Sequence, residues 1–185
     1  LSASVPLPDL PEQRRIAANL DKLTSAIQRG VSLAQTVDAK GLMREIAVAE
    51  MASMPEVWWS GQEFDVYGGA TPNAGSPEMW GGQIPWVTPA DIGPMRGRTI
   101  VKGARNVTDA FVPRRGLVPT GSVVMTSRAP IGNLAIAGAG LLTNQGCKSI
   151  VPVRDEVDPV FLYFAVMSRV DQYLAAGSGT TFHEV

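Results

Sequence analysis

Few residues of this chain are equipped for covalent or metal chemistry. Its 185 residues hold one Cys (Cys147) and one His (His183), so neither an intramolecular disulfide framework nor a Cys/His zinc cluster can be assembled. Lys148 beside Cys147 could lower its pKa, but a small buried thiol is the commoner fate of a lone cysteine. No G-x-S-x-G elbow and no G-x-x-x-x-G-K-[ST] phosphate loop occurs, and the one His stands almost at the end of the sequence. Asp155, Glu156 and Asp158 could hold a hard cation, yet they lie before a helical pattern, where acids cap and solvate a turn. Gly138-Ala139-Gly140 lacks the third glycine of a dinucleotide loop and reads as a hairpin turn. These residues favour a binding module over an enzyme, with no metal.

The charge distribution says what such a module could bind. Net charge is −1 overall. Between Ile92 and Lys148, however, eight bases stand against Asp109 alone, a local +7, and six of the eight are Arg. Arg96, Arg98, Lys102, Arg105, Arg114, Arg115 and Arg128 sit among Gly, Pro and polar residues, as on loops. Loop-borne Arg on a rigid scaffold offers planar forks to phosphates and guanine edges. Asn73, Asn144 and Gln145 could supply paired contacts to adenine, although Asn144 and Gln145 equally suit turn-making. Trp80 and Trp86 read as core. From these residues alone, a protein–protein adaptor also remains open.

Three stretches must position this set. Residues 1–10 are apolar and Pro-punctuated, an extended arm. Residues 11–52 read as helix, with Asp9 near a capping position and Pro11 in the first turn. Ile16, Leu20, Leu23 and Ile27 recur at spacings of 4, 3 and 4; Val31, Ala34, Leu42 and Ile46 extend the seam. One continuous helix of 42 residues would span about 63 Å and would need a partner helix, as in a coiled coil. The alternative is two helices broken near Gly30 or Gly41. Residues 53–185 form an α+β, sheet-rich domain. Its strand-like runs are Ile84–Val87, Thr99–Val101, Gly121–Thr126, Leu134–Ala137 and Ser149–Val153, and a buried helix is expected over Asp158–Leu174. No uncharged apolar run of 18 residues occurs, and no signal-like segment opens the sequence; the expected compartment is the cytoplasm, with no membrane partner.

The order of motifs resembles the DNA-specificity subunit of Type I restriction–modification systems. VPLPDLPEQRRI at residues 5–16 is similar to that family's junction between a recognition domain and a long helix. Gly69-Ala70-Thr71-Pro72, GGQIPWVTPADI at 81–92 and GSVVMTSRAPIG at 121–132 follow in the family's order. Then come Thr143-Asn144-Gln145, Ile150-Val151-Pro152, Phe161-Leu162-Tyr163 and GSGTT at 177–181. Together these cover almost the whole chain.

The resemblance implies a non-catalytic subunit that reads one half of a bipartite double-stranded DNA target through residues 53–185, with residues 11–52 as spacer and assembly helix. Thr71 joins Asn73, Asn144 and Gln145 as a base-reading candidate. Methylation of adenine would belong to methyltransferase subunits using S-adenosylmethionine, and cleavage to ATP- and Mg-dependent motor–nuclease subunits. The chain itself would bind no cofactor, and it shows no N-P-P-(Y/F) or F-x-G-x-G motif. A recognition module of another restriction–methylation enzyme is the nearest alternative. A full-length member of the family carries two recognition domains and two helical regions, whereas this chain has material for one of each. It is therefore expected to be a fragment, a half-size subunit or a circular permutation, and a homodimer through the long helix would restore the missing half.

Overall fold

The computed structural model describes residues 7–31, 39–52, 64–73, 75–95, 97–128, 130–153 and 156–176 of the chain. Helix α1 (Leu10–Val31) starts where the sequence places it. The Asp9 carboxylate accepts the Glu12 backbone N–H at 3.0 Å, and the Asp9 carbonyl accepts that of Gln13 at 2.9 Å. Glu12 and Arg15, one turn apart, form a two-pronged pair at 2.7 Å on the exposed side, which holds the Glu12 carboxyl below its ordinary pKa.

One continuous helix over residues 11–52 is not what forms. The structure has α1 and a separate α2 (Ala39–Ala52), and these pack against each other and against α4 (Pro159–Met167). Leu20 of α1 and Ala47 of α2 are both fully buried in one apolar cluster with Phe161, Phe164 and Ala165 of α4. On a single helix they would lie about 40 Å apart. Of the two breaks offered by the sequence, the one near Gly30 agrees with the structure, since α1 ends at Val31, while α2 runs through Gly41. The apolar seam finds its partner inside the chain. α4 is apolar on every side, so one side covers a sheet and the other receives the two helices.

The seam residues therefore divide. Ile16 is 1% exposed and Leu20 0%, both enclosed by this chain's own core. Leu23 and Leu42 stay open at 47% and 38%, while Ile27 and Ile46 are half-buried. The Val31 side chain and Ala34 lie outside the described residues, as do residues 1–6 of the arm.

The seam's tightest joint is Gln13, buried at 2% exposure. Its amide nitrogen donates to the carbonyls of Pro8 (2.8 Å) and Glu156 (3.1 Å), and its amide oxygen accepts from Asp158 N–H (2.9 Å). One side chain thus ties the arm and the start of α1 to the start of α4. Gln13→Ala strands these partners and is expected to lower stability by about 1–3 kcal/mol, read by urea denaturation. A change below about 0.5 kcal/mol would show that water replaces the amide without loss.

The strands form two sheets. β1 (Phe64–Gly68), β8 (Cys147–Pro152), β5 (Val123–Thr126), β6 (Leu134–Ala137) and β3 (Thr99–Ile100) lie in the order β1-β8-β5-β6-β3, antiparallel except at the β6–β3 edge. Every residue of β5 and β6 is buried because both faces of the sheet are covered. Val123 and Met125 face the α4 side, and Val124 faces the other core with Val87, Ile92 and Cys147. A smaller sheet runs β4-β2-β7, from β4 (Arg105–Val107), β2 (Trp80–Val87) and β7 (Leu142–Thr143). The Gly138–Gly140 link carries the chain from one sheet to the other and is not the hairpin turn expected of it. The late helix is two pieces. Asp158 caps α4 by accepting Val160 and Phe161 N–H, both at 2.9 Å, and Pro159 opens it. A turn at Ser168–Arg169 then separates α5 (Val170–Ala176).

Candidate nucleic-acid interface

Two loops meet at one end of the small sheet. The first follows β1 and carries Gly69-Ala70-Thr71-Pro72-Asn73; the second follows β7 and carries Asn144-Gln145-Gly146. Ala70 N–H donates to the Thr143 carbonyl at 2.8 Å, and Gly69 N–H reaches the Cys147 carbonyl at 3.4 Å. Gly69 permits this approach, since a Cβ there would stand 2.0 Å from the Asn144 carbonyl oxygen and 2.4 Å from that of Thr143. From below, the Trp86 indole N–H donates to the Ala70 carbonyl at 3.0 Å. Trp86 thus belongs to the core, as expected, and also anchors a loop.

The loop contacts bring the expected base readers together. The Thr71 hydroxyl donates to the Gln145 amide oxygen, and both residues are exposed. The Gln145 NH₂ group, with two donors, has no partner among the described residues. Asn144 Oδ1 accepts Gly146 N–H at 3.0 Å, so its carbonyl end makes the turn. Asn73 does the same for its own loop, accepting Gly75 N–H at 2.9 Å.

The basic residues surround this pair unevenly. Arg115 lies 4.7 Å from the Tyr67 ring centroid and donates to the Gly68 carbonyl, bracing the first loop. Arg128, half-buried, lies over Gly146, where a Cβ would meet its Nε at 3.1 Å. Arg105 lies on β4 opposite Trp86, with its guanidinium carbon 3.3 Å from the Trp80 centroid. Asp91 fixes the approach to this strand. It closes α3 (Pro89–Ile92) by accepting Thr88 N–H at 2.8 Å, and its other oxygen accepts Ala104 N–H at 2.7 Å. Lys102 and Arg114 are exposed, with no ion pair or hydrogen bond among the described residues. Arg96 lies outside those residues.

Arg98 is not part of this surface. It pairs with Asp21 of α1 and lies 5.2 Å and 5.8 Å from the Phe164 and Tyr163 centroids of α4. Its side chain, 21% exposed, clasps the helices to the domain and lines a cavity of about 800 Å³ together with Met43, Met95 and Met167. Of the arginines expected to contact DNA, Arg98 is thus engaged within the chain. Three arginines therefore stack on aromatic rings, a pattern that the reading of Trp80 as core alone missed. For Arg115 and Arg105 the trace in the sequence is an aromatic directly before a Gly-Gly pair: Tyr67 before Gly68-Gly69, and Trp80 before Gly81-Gly82.

Cys147 carries no chemistry here. It is fully buried, and burial, reinforced by Asp91 and opposed by Arg128, pushes its thiol up to about 12. Alkylation at neutral pH is expected only after unfolding. The sign agrees at high pH, where the protonated thiol favours the folded state below about pH 9 and that contribution fades as pH climbs toward 12. Rapid labelling of the native chain by iodoacetamide at pH 7.5 would overturn this. Of the acidic group before α4, Asp158 is a helix cap, Glu156 is exposed and Asp155 lies outside the described residues.

The model of the Type I restriction modification DNA specificity domain matches residues 61–185. The chain belongs to this family. The matched specificity domain holds both loops and every expected DNA-contacting residue. The chain is 41% identical over 125 residues to the MjaIX Type I restriction enzyme specificity subunit of Methanocaldococcus jannaschii, covering 65% of this chain and 29% of that one. It is 27% identical over 193 residues to the EcoR124I/EcoR124II specificity subunit of Escherichia coli, covering 95% and 46%. Among solved structures, the HsdS subunit from Thermoanaerobacter tengcongensis shares the fold, with a TM-score of 0.53 at 20% identity over 98% of this chain and 48% of that one. A chain from a study of assembly and conformational transition in a type I R-M system gives 0.56 at 21% identity, covering 97% and 45%. The specificity domain and its helices thus span less than half the length of these relatives. Among the described residues, no helix is long and apolar enough to cross a membrane.

Proposed function

We propose that this chain reads one half of a bipartite double-stranded DNA target on behalf of partner subunits that methylate adenine and cleave DNA. The observation that carries the reading is the Thr71–Gln145 pair, exposed where two loops are locked together, with Arg115 and Arg128 held against those loops. In this reading the chain is cytoplasmic and does no chemistry itself. S-adenosylmethionine, ATP and Mg act on the methyltransferase and restriction subunits. The specificity-subunit relatives support DNA recognition over a protein–protein adaptor or a module of an unrelated restriction–methylation enzyme.

Co-expression with a cognate methyltransferase subunit and mapping of methylated adenine tests it. A bipartite motif that disappears without this chain is expected, and methylation unchanged by its removal would overturn the reading. Lys102 and Arg114 are assigned to the phosphate backbone. Substituting either with Ala is expected to weaken all duplexes alike and to lower the salt slope of binding by about 1. An unchanged slope for both would remove them from the footprint.

The exposed Leu23 and Leu42 are the face we propose for a second copy of the chain. A dimer lost in Leu23→Glu is expected by light scattering. A monodisperse wild-type monomer at high micromolar concentration would sink it.

A further inference from the structure

We propose that Arg105 reads a guanine edge and that Trp80 is the residue that positions it; the proposal rests on the DNA-recognition reading above. Three arginines of this chain stack on aromatic rings, and they differ in what their forks do. The fork of Arg98 is spent on Asp21, and that of Arg115 on the Gly68 carbonyl. Arg105 has no hydrogen bond or ion pair among the described residues, although its guanidinium carbon stands 3.3 Å from the Trp80 centroid. Stacking occupies a face of the guanidinium and leaves the N–H donors, which lie in its plane, for an outside acceptor. A fork held this way loses little freedom on binding, which favours a directional two-bond contact over a diffuse ionic one. Guanine O6 and N7 form the base-edge acceptor pair that matches it.

The platform beneath is rigid. Trp80 meets Trp86 edge-on at 5.1 Å. The segment before it is pinned to the chain after β4, with Thr108 N–H donating to the Met79 carbonyl at 3.0 Å and the Thr108 hydroxyl to the Glu78 carbonyl at 2.7 Å. Trp86 in turn holds Ala70, so an unbroken run of contacts joins Arg105 to the Thr71–Gln145 pair. The two would therefore read neighbouring positions of the same half-site. A phosphate contact needs charge alone, whereas this one needs the planar fork and its stack, and that difference makes it testable.

Arg105→Lys keeps the charge and removes the fork; Trp80→Leu keeps the arginine and removes the platform. The full chain, assembled with its methyltransferase subunit, would be used to select from randomised duplex DNA and titrated across salt, with thermal melts confirming the fold. Wild type is expected to prefer guanine at one position by about 5- to 150-fold. Both variants are expected to bring that one position near parity, with the salt slope and all other positions unchanged. Uniform weakening at every position, or no change in either variant, would overturn the proposal. Wild-type complex that selects no sequence at all would instead defeat the underlying reading of the chain as a DNA-recognition subunit.

Discussion

Gly69→Ala is expected to cost about 3 kcal/mol and to abolish sequence-specific methylation, while Gly68→Ala, one residue earlier, is expected to be neutral or slightly stabilising. The two glycines differ only in what surrounds them. A Cβ on Gly68 meets nothing within 4 Å. On Gly69 it would stand 2.0 Å from the Asn144 carbonyl oxygen and 2.4 Å from both the Thr143 carbonyl oxygen and its hydroxyl. Backbone oxygens cannot rotate aside as a side chain can, so the two loops must separate. Separation breaks the Ala70–Thr143 hydrogen bond and pulls Thr71 away from Gln145. Thermal melts give the stability of each variant, and mapping of methylated adenine gives the function. Equal behaviour of the two variants would show that the loop contact does not govern recognition.

The same pair of glycines shows what was legible in the sequence. Gly69-Ala70-Thr71-Pro72 and Thr143-Asn144-Gln145 stand 70 residues apart, and no period or spacing says that they touch. The family resemblance marked both segments, and the β1–β8 pairing with the Ala70–Thr143 hydrogen bond brings them together. Local signals served well where the physics is local. The Asp9 and Asp158 caps, the early prolines of α1 and α4, and the buried runs of β5 and β6 all lie where the residues indicate. The strands that escaped, β1, β4 and β7, are two to five residues long and carry little pattern of their own. Charge pattern was the weaker guide. Arg98 and Arg105 stand seven residues apart in the same basic stretch, yet one clasps α1 and the other lies on Trp80. Their partners, Asp21 and Trp80, come from other elements. Similarly, an apolar seam signals that a helix needs a partner without saying which. Here α4, more than a hundred residues away, takes the place assigned to a second chain.

That substitution of partner has an energetic consequence. Phe161→Ala is expected to cost about 4–5 kcal/mol, and Phe164→Ala nearer 3. Phe161 is 0% exposed and enclosed among Ile16, Ala17 and Leu20 of α1 and Ala47 of α2, so its removal leaves a hole in a closed core. Phe164 is 1% exposed but borders the open 800 Å³ cavity, so neighbouring side chains have space to adjust and solvent can follow. Against a typical total of about 5–15 kcal/mol, the Phe161 variant approaches the threshold of folding. Because the lost contacts join α1 and α2 to the domain, the whole chain should lose cooperativity together. Helix content by circular dichroism and the fluorescence of Trp80 and Trp86, read with Trp58 and Trp59 replaced by Phe so that the signal reports the small sheet, are expected to fall in one coincident urea transition, with and without either substitution. A separate, earlier loss of helix signal in wild type would mean that the helical pair is only loosely attached. The seam would then be available to a partner chain after all, and the burial of Ile16 and Leu20 against α4 would be one of two competing arrangements.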